Sequence, residues 1–361
     1  MTSSAEAHFP EDYRSGREAF VRAADEARLD VTTRVHPTMH GADGKPLFLD
    51  VASTARRDAK RAVLVISGTH GVEGYFGSGV QTGLLRRGIA AHVPGGTKLV
   101  FLHALNPFGF SWNRRVNEHN TDVGRNFVDH ARPPLNEIYD NLADAIAPKK
   151  LTPSALNTAN AVLRDYSRAH GAFALQTAIT AGQYRHPDGL YFGGTRECWS
   201  ALMLKDVFDE ELRNVQELVA IDLHTGLGAS GNAEMISEDL PASAAYGRAK
   251  AMWGDLVRSS EAGESVSAAL TGTLDQAAAL WMKGKSLTFA TLEVGTQSLR
   301  DVFDALRRDN WLHAHASLEH RSASAIKNRI RAAFYPDNLA WKRKAWTSAE
   351  TVIRQALAGL A

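Results

Sequence analysis

The chain has 361 residues, 44% of them hydrophobic and 22% charged, which is the composition of an ordinary soluble globular protein. Lys+Arg number 41 against Asp+Glu 40, so no basic excess exists to attract nucleic acid or an anionic membrane surface. Cys198 is the sole cysteine, which excludes an intrachain disulfide and a thiolate-rich zinc site; any metal has to be held by His and carboxylate.

The first residues, Met-Thr-Ser-Ser-Ala-Glu-Ala-His, have no basic start followed by an apolar core, and no apolar run reaches membrane-spanning length. The expectation is a cytoplasmic protein without membrane contact. Residues 10–28 carry Phe20, Val21 and Ala24 at helical spacing. Residues 31–35 and 46–51 read as strands around the turn His40-Gly-Ala-Asp-Gly44, a hairpin. The β-branched run at 62–67 predicts a buried strand, broken at Ser67-Gly68 and followed by a helix from about 74 to 87. A second buried strand is expected at 98–103, ending at Asn106-Pro107. Residues 108–127 are polar, rich in Arg and Asn, and too long for a simple connection, which marks a functional loop. Helices are expected at 134–147, 155–180 and 197–213, with a two-tyrosine loop at 184–194 between the last two. Strands follow at 218–223, 233–237 and 286–294, and helices at 243–258, 274–282, 298–318 and 345–359.

Alternating strands and helices predict a sheet covered on both faces, and the early hairpin makes it mixed. The expectation is one domain over 1–361, with a helical elaboration at about 134–213 on its rim.

In open α/β sheets, ligands sit beyond the carboxyl ends of the strands. His70 and Glu73 follow the strand at 62–67 at that position, bracketed by Gly71 and Gly74. A second match to the same spacing, His8-Phe-Pro-Glu11, has no strand before it and is read as accidental. In Val219-Ala-Ile-Asp222-Leu-His224-Thr-Gly, alternation places Asp222 and His224 on one face, again at a strand end. His70, Glu73 and His224 make a His₂Glu set, the three-ligand pattern of hydrolytic zinc sites. Such a site still needs a group that moves protons. Glu293, a carboxylate at the end of the apolar run 287–294, is the candidate general base and then acid. The Arg-rich loop offers guanidinium groups suited to carboxylates and developing oxyanions, Arg125 foremost.

Three other readings have sequence hooks. Gly226-Leu-Gly-Ala-Ser-Gly231 matches a dinucleotide fingerprint, but the following residues look extended where that fingerprint needs a helix. No G-x-S-x-G elbow supports a serine hydrolase. His313, His315 and His320 lie on an expected surface helix, without the spacing that would give the first two a shared face. A non-catalytic metal-binding protein on the same fold is the remaining alternative, which the presence of Glu293 opposes.

Taken together, His-x-x-Glu after a strand, the Arg115–Asp122–Arg125–Asn126 loop, the strand-end His224 and the late-strand Glu293 resemble the zinc carboxypeptidase (M14-type) superfamily. The resemblance is to its DUF2817 branch, with the aspartoacylase and succinylglutamate desuccinylase deacylases as relatives, and it covers about residues 60–300. It implies a three-layer α/β/α sandwich with a mixed central β-sheet and one Zn²⁺ per chain on His70, Glu73 and His224. It also implies an amide hydrolase acting on a small molecule or short peptide that bears a carboxylate. By the same resemblance Arg115 polarises the scissile carbonyl, Arg125 anchors the carboxylate, and Asp122 orients His70. The family commonly has Asn where this chain has Gly124, which makes Asn126 the candidate replacement. Tyr184 and Tyr191 are the candidates for the family's late tyrosine.

Overall fold

In the computed structural model, which describes residues 5–361, the apolar runs of the sequence become neighbouring strands of one sheet. The strands are β1 (Asp30–His40), β2 (Pro46–Ser53), β3 (Arg61–Ser67), β4 (Thr97–His103), β5 (Glu217–Gly226), β6 (Ala233–Ser237), β7 (Val257–Ser259) and β8 (Ser286–Gly295). Their spatial order is β1-β2-β4-β3-β5-β8-β6-β7. β4, β3, β5 and β8 run parallel; β1, β2 and β6 introduce the antiparallel pairings that make the sheet mixed.

The helices are α1 (Tyr13–Glu26), α2 (Gly74–Arg86), α3 (Pro107–Ser111), α4 (Glu137–Ile146), α5 (Pro153–His170), α6 (Ala172–Thr180), α7 (Trp199–Glu211), α8 (Ala244–Trp253), α9 (Leu274–Trp281), α10 (Leu299–His315), α11 (Ala323–Phe334) and α12 (Leu339–Ala358). Because side chains alternate along a strand, β3 sends Val63 and Val65 to one face and Ala62, Leu64 and Ile66 to the other. β5 divides in the same way, with Val219, Ile221 and Leu223 opposite Leu218 and Ala220. The first face packs against α1, α2, α8 and α12, the second against α7 and α9. This is the three-layer α/β/α sandwich.

Four local expectations need correction. The helix expected over 155–180 is two, α5 and α6, because the chain turns at Gly171 with φ 94°. The segment 108–127 is not all loop: it contains α3 and a 3₁₀ turn at Val123–Arg125. The helix at 243–258 stops at Trp253, and its tail enters β7, a strand too short to show a period. α11 has only Ile326, Ile330, Ala333 and Phe334 as its buried stripe beyond Ala323, diluted among basic residues, so it was not expected.

The expected rim elaboration narrows as well. α4, α5 and α6 form a cluster with α10 and α11 beyond the strand ends, centred on Tyr139, Ile146 and Phe334. α7 instead lies under the sheet, where Ala201, Leu204, Val207 and Phe208 help cover its second face. Among the described residues no helix is long and apolar enough to cross a membrane.

Candidate metal centre

The site is built from the carboxyl ends of three strands that adjoin in the sheet, β3, β5 and β8. After β3 the chain makes a 3₁₀ turn, Gly71–Glu73, before entering α2. This turn is pinned from outside, because the Gly71 and Val72 amides donate to the carbonyls of Arg115 (3.0 Å) and Arg114 (2.8 Å). Gly71 is required there: a Cβ would fall 2.0 Å from the Gly109 carbonyl carbon.

His70, Glu73 and His224 are buried together, each offering one ligand atom, and those atoms all lie within 4.8 Å of one another. His70 Nδ1 is 2.9 Å from Glu73 Oε1, and His224 Nδ1 is 3.1 Å from Glu73 Oε2. The opposite edge of each ring meets a carboxylate: Asp122 Oδ1 is 3.2 Å from His70 Nε2, and Asp222 Oδ2 is 2.7 Å from His224 Nε2. A carboxylate behind each imidazole orients the ring and turns its Nδ1 toward Glu73, as in oriented metal-ligating histidines. The Thr69 hydroxyl in turn donates to Asp222 at 2.9 Å. The sequence placed Asp222 on the face of His224 but gave it no role; the two-residue spacing on one strand was the available signal.

The buried charges act on Glu73, His224 and Asp122. Burial opposes the Glu73 carboxylate, yet His70 and His224 bring its pKa below the usual carboxylate range. Burial likewise opposes a charged His224, but Asp222 and Glu73 raise it well above the ordinary histidine value. Asp122 is held well below the carboxylate range, against burial, first by Arg115 and then by His70.

Arg115 reaches the centre. Its Nε donates to Asp122 Oδ2 (2.9 Å), its Nη1 to Glu73 Oε1 (3.3 Å), and its Nη2 is 2.7 Å from His70 Nε2. The Tyr191 ring centroid is 5.2 Å from its guanidinium carbon. Glu293, directly opposite His224 in the β5–β8 register, is 7% exposed and accepts the Leu227 amide at Oε1 (2.7 Å). Burial and the neighbouring Glu73 charge push its pKa up to about 8.

A cavity of about 110 Å³ opens beside these groups, lined also by Arg125, Tyr191, Glu238, Thr273 and Asp275. Arg125 faces it with three N–H groups already engaged: Nε and Nη2 to Thr180 O, and Nη1 to Gly124 O. Two of the five donors of a guanidinium are left. Tyr191 lines the cavity, and its hydroxyl has no hydrogen bond among the described residues.

Two candidates do not face the cavity. The Asn126 amide is consumed by the carbonyls of Gly193 and Arg196 and by the Cys198 amide, so it ties loops together and does not replace the asparagine absent at 124. Tyr184 donates its hydroxyl to Arg125 O (2.7 Å), behind the arginine. At Gly124 itself a Cβ would stand 3.1 Å from His70 Nε2, so an asparagine there would press on the imidazole.

The other sequence hooks carry no site. After Gly231 the chain enters β6, so no helix N-terminus is presented to a pyrophosphate. His313 Nε2 lies 2.7 Å from Lys327 Nζ, within a buried cluster with Asp309. His70, Glu73 and His224 are the one such ligand group among the described residues.

A family model described as a protein of unknown function, DUF2817, matches residues 9–348. The chain belongs to the DUF2817 family. No curated protein matches it in sequence. This DUF2817 chain superposes on bovine thrombin-activatable fibrinolysis inhibitor, solved with tick carboxypeptidase inhibitor, with a TM-score of 0.51 at 8% identity over 97% of each chain. That likeness shows a shared fold. The carboxypeptidase A from Helicoverpa armigera gives 0.48 at 15% identity, over 90% of the DUF2817 chain and 74% of the other. The succinylglutamate desuccinylase from Chromobacterium violaceum gives 0.39 at 13% identity, over 89% and 74%.

Proposed function

We propose that the protein is a zinc-dependent amide hydrolase acting on a small N-acyl amino acid or short peptide with a free carboxylate. The observation that carries this reading is the convergence of two imidazole Nδ1 atoms on Glu73, each ring backed by a carboxylate, with Glu293 in the same cavity. Two imidazoles and one carboxylate fit a hydrolytic zinc ion, and one per chain is expected. Bound by His70, Glu73 and His224, such an ion polarises a carbonyl and brings the pKa of a water to about 7.

The protein's own groups do the rest. Glu293 is fixed through Oε1 by the Leu227 amide, and its Oε2 has no hydrogen bond among the described residues. Oε2 takes a proton from the attacking water as its oxygen adds to the amide carbon. The C–N bond then breaks, and Glu293 returns the proton to the leaving nitrogen. Arg115, held by Asp122 and Glu73, stabilises the carbonyl oxygen as it gains negative charge. Arg125 presents its two remaining N–H groups to the substrate carboxylate, and the Tyr191 hydroxyl donates to the reacting amide.

The test is hydrolysis of a panel of N-acetyl amino acids and dipeptides by the wild type and Glu293→Gln. The variant should keep its metal and fold and lose at least ~10²-fold in kcat, the scale of general acid–base catalysis. Near-normal kcat would remove Glu293 from the chemistry.

A further inference from the structure

Behind the catalytic cavity lies a second, smaller one, and Arg115, Tyr191 and Leu306 line both. Its volume is about 20 Å³, room for one particle the size of a water molecule or a little larger. Arg114, Leu190 and Asp309 also form its wall. Positive charge is in excess there. Arg114 is buried and Lys327 nearly so, around a single carboxylate: Asp309 is 3.3 Å from Arg114 Nε and 2.5 Å from Lys327 Nζ. Among the described residues no other carboxylate acts on either cation. His313, the third basic group of the cluster, is already neutral, because burial, then Arg114 and Lys327, push its pKa down to about 3. Two cations on one anion leave a charge without a partner, which is strongly unfavourable out of water.

Hydrogen-bond donors are in excess at the same wall. Arg114 places Nε on Asp309 and Nη2 on Asn120 Oδ1 (2.9 Å), and its Nη1 has no hydrogen bond among the described residues. The backbone amides of Leu190 and Tyr191 have no acceptor among them either. Leu190 is buried, and unpaired amides are rare where water is excluded. Tyr191 has φ 53°, the left-handed conformation found in the backbone nests that cradle anions. A water molecule in the cavity would satisfy the amides but not the charge.

We propose that this second cavity binds one monovalent anion of chloride's size, held by Arg114 and the Leu190 and Tyr191 amides, and that the anion fixes the loop carrying Tyr191 into the catalytic cavity. Phosphate and sulfate are too large for the space. The left-handed backbone at Tyr191 is strained for any residue but glycine, and it persists only where its surroundings hold it. An anion on two adjacent amides of that loop supplies such a hold, on the far side of the loop from the hydroxyl that lines the catalytic cavity. The consequence for turnover rests on the proposed hydrolysis; the binding does not.

The experiment is crystallography of the full chain with sodium bromide in place of chloride, recorded at the bromine absorption edge. It is paired with kinetics in sodium chloride and in sodium gluconate at equal ionic strength. One anomalous peak should stand against Arg114 and the Leu190 and Tyr191 amides. Arg114→Gln leaves Lys327 and Asp309 as a balanced pair and should lose that peak; a peak of full height in the variant would overturn the assignment. Chloride should raise kcat for N-acetyl amino acids about threefold over gluconate, because more molecules hold Tyr191 in the competent geometry. In the wild type, water without anomalous signal in the cavity, or bromide at the molecular surface alone (an adventitious ion only), would overturn the anion site. Equal kcat in the two salts would overturn its hold on Tyr191. The two readings fail separately. Bromide in the cavity of a protein that hydrolyses no N-acetyl substrate supports the anion site and sinks the hydrolase reading. Turnover with only water in the cavity does the reverse.

Discussion

Glu238 is a carboxyl group on the wall of a cavity, facing Asp275 on α9, the Ser260 hydroxyl, Glu261 and the more distant Arg125. Its folded pKa of about 7 lies above the ordinary value of 4.5. Below pH 4.5 it is protonated in folded and unfolded chains alike and costs nothing. As pH rises from 4.5 to about 7, the unfolded chain ionises while the folded one keeps its proton, so stability falls. A shift of that size corresponds to roughly 3 kcal/mol, and the water that reaches this partly buried group reduces it to about 1–2 kcal/mol. Glu238→Gln should therefore match the wild type in unfolding free energy at pH 4 and exceed it by about 1–2 kcal/mol at pH 8. Denaturant titrations at the two pH values check this; an equal difference at both would mean that Glu238 is not paying for burial of its charge. At this scale the sequence was legible wherever a chemical group ended a strand. His70, Glu73, His224 and Glu293 each follow an apolar run, and the structure brings all four to one cavity. Glu238 and Asp275 were illegible because no local pattern joins a β6 end to an α9 start. Asn126 and Tyr184 were misread because sequence does not say which way a loop side chain points.

The element that matters most is the segment from Trp112 to Phe127, which delivers Arg115, Asp122 and Arg125 from outside the sheet. Its placement depends on a buried ionic cluster. Arg114 Nε is 3.3 Å from Asp309 Oδ2 on α10, and Lys327 Nζ on α11 is 2.5 Å from Oδ1 of the same carboxylate. Removing Asp309 leaves two buried cations without their anion, a change that typically costs about 3–5 kcal/mol. We expect Asp309→Ala to lose about 3 kcal/mol of stability in a denaturant titration, and to weaken metal binding because the Arg114 and Arg115 carbonyls hold the Gly71–Glu73 turn. A loss under about 1 kcal/mol with unchanged metal affinity would show that the segment is held without α10 and α11. The importance of the segment was readable from its length and its arginines. Its anchor was not, since α11 has too sparse an apolar stripe to stand out, and Asp309 reads as one more surface acid of an amphipathic helix.

For the whole molecule, the decisive fact is the strand order. β3, β5 and β8 are far apart in sequence but adjacent in the sheet, and their parallel run brings His70, His224 and Glu293 out at the same edge. The sandwich was legible because strands and helices alternate with clear periods, and a sheet buried on both faces needs long apolar strands. The order of those strands was not legible from the residues alone, because period and propensity say nothing about which neighbour a strand selects. The central claim is that this arrangement exists to hold a catalytic metal. Its most direct test is zinc content by elemental analysis after equilibration with a limited excess of Zn²⁺ and desalting. The account predicts about one zinc per chain in the wild type and in Glu293→Gln, and under a tenth of that in His70→Ala and His224→Ala, since three protein ligands are the set for such a site. A metal-free wild type, or full occupancy in either histidine variant, would contradict it.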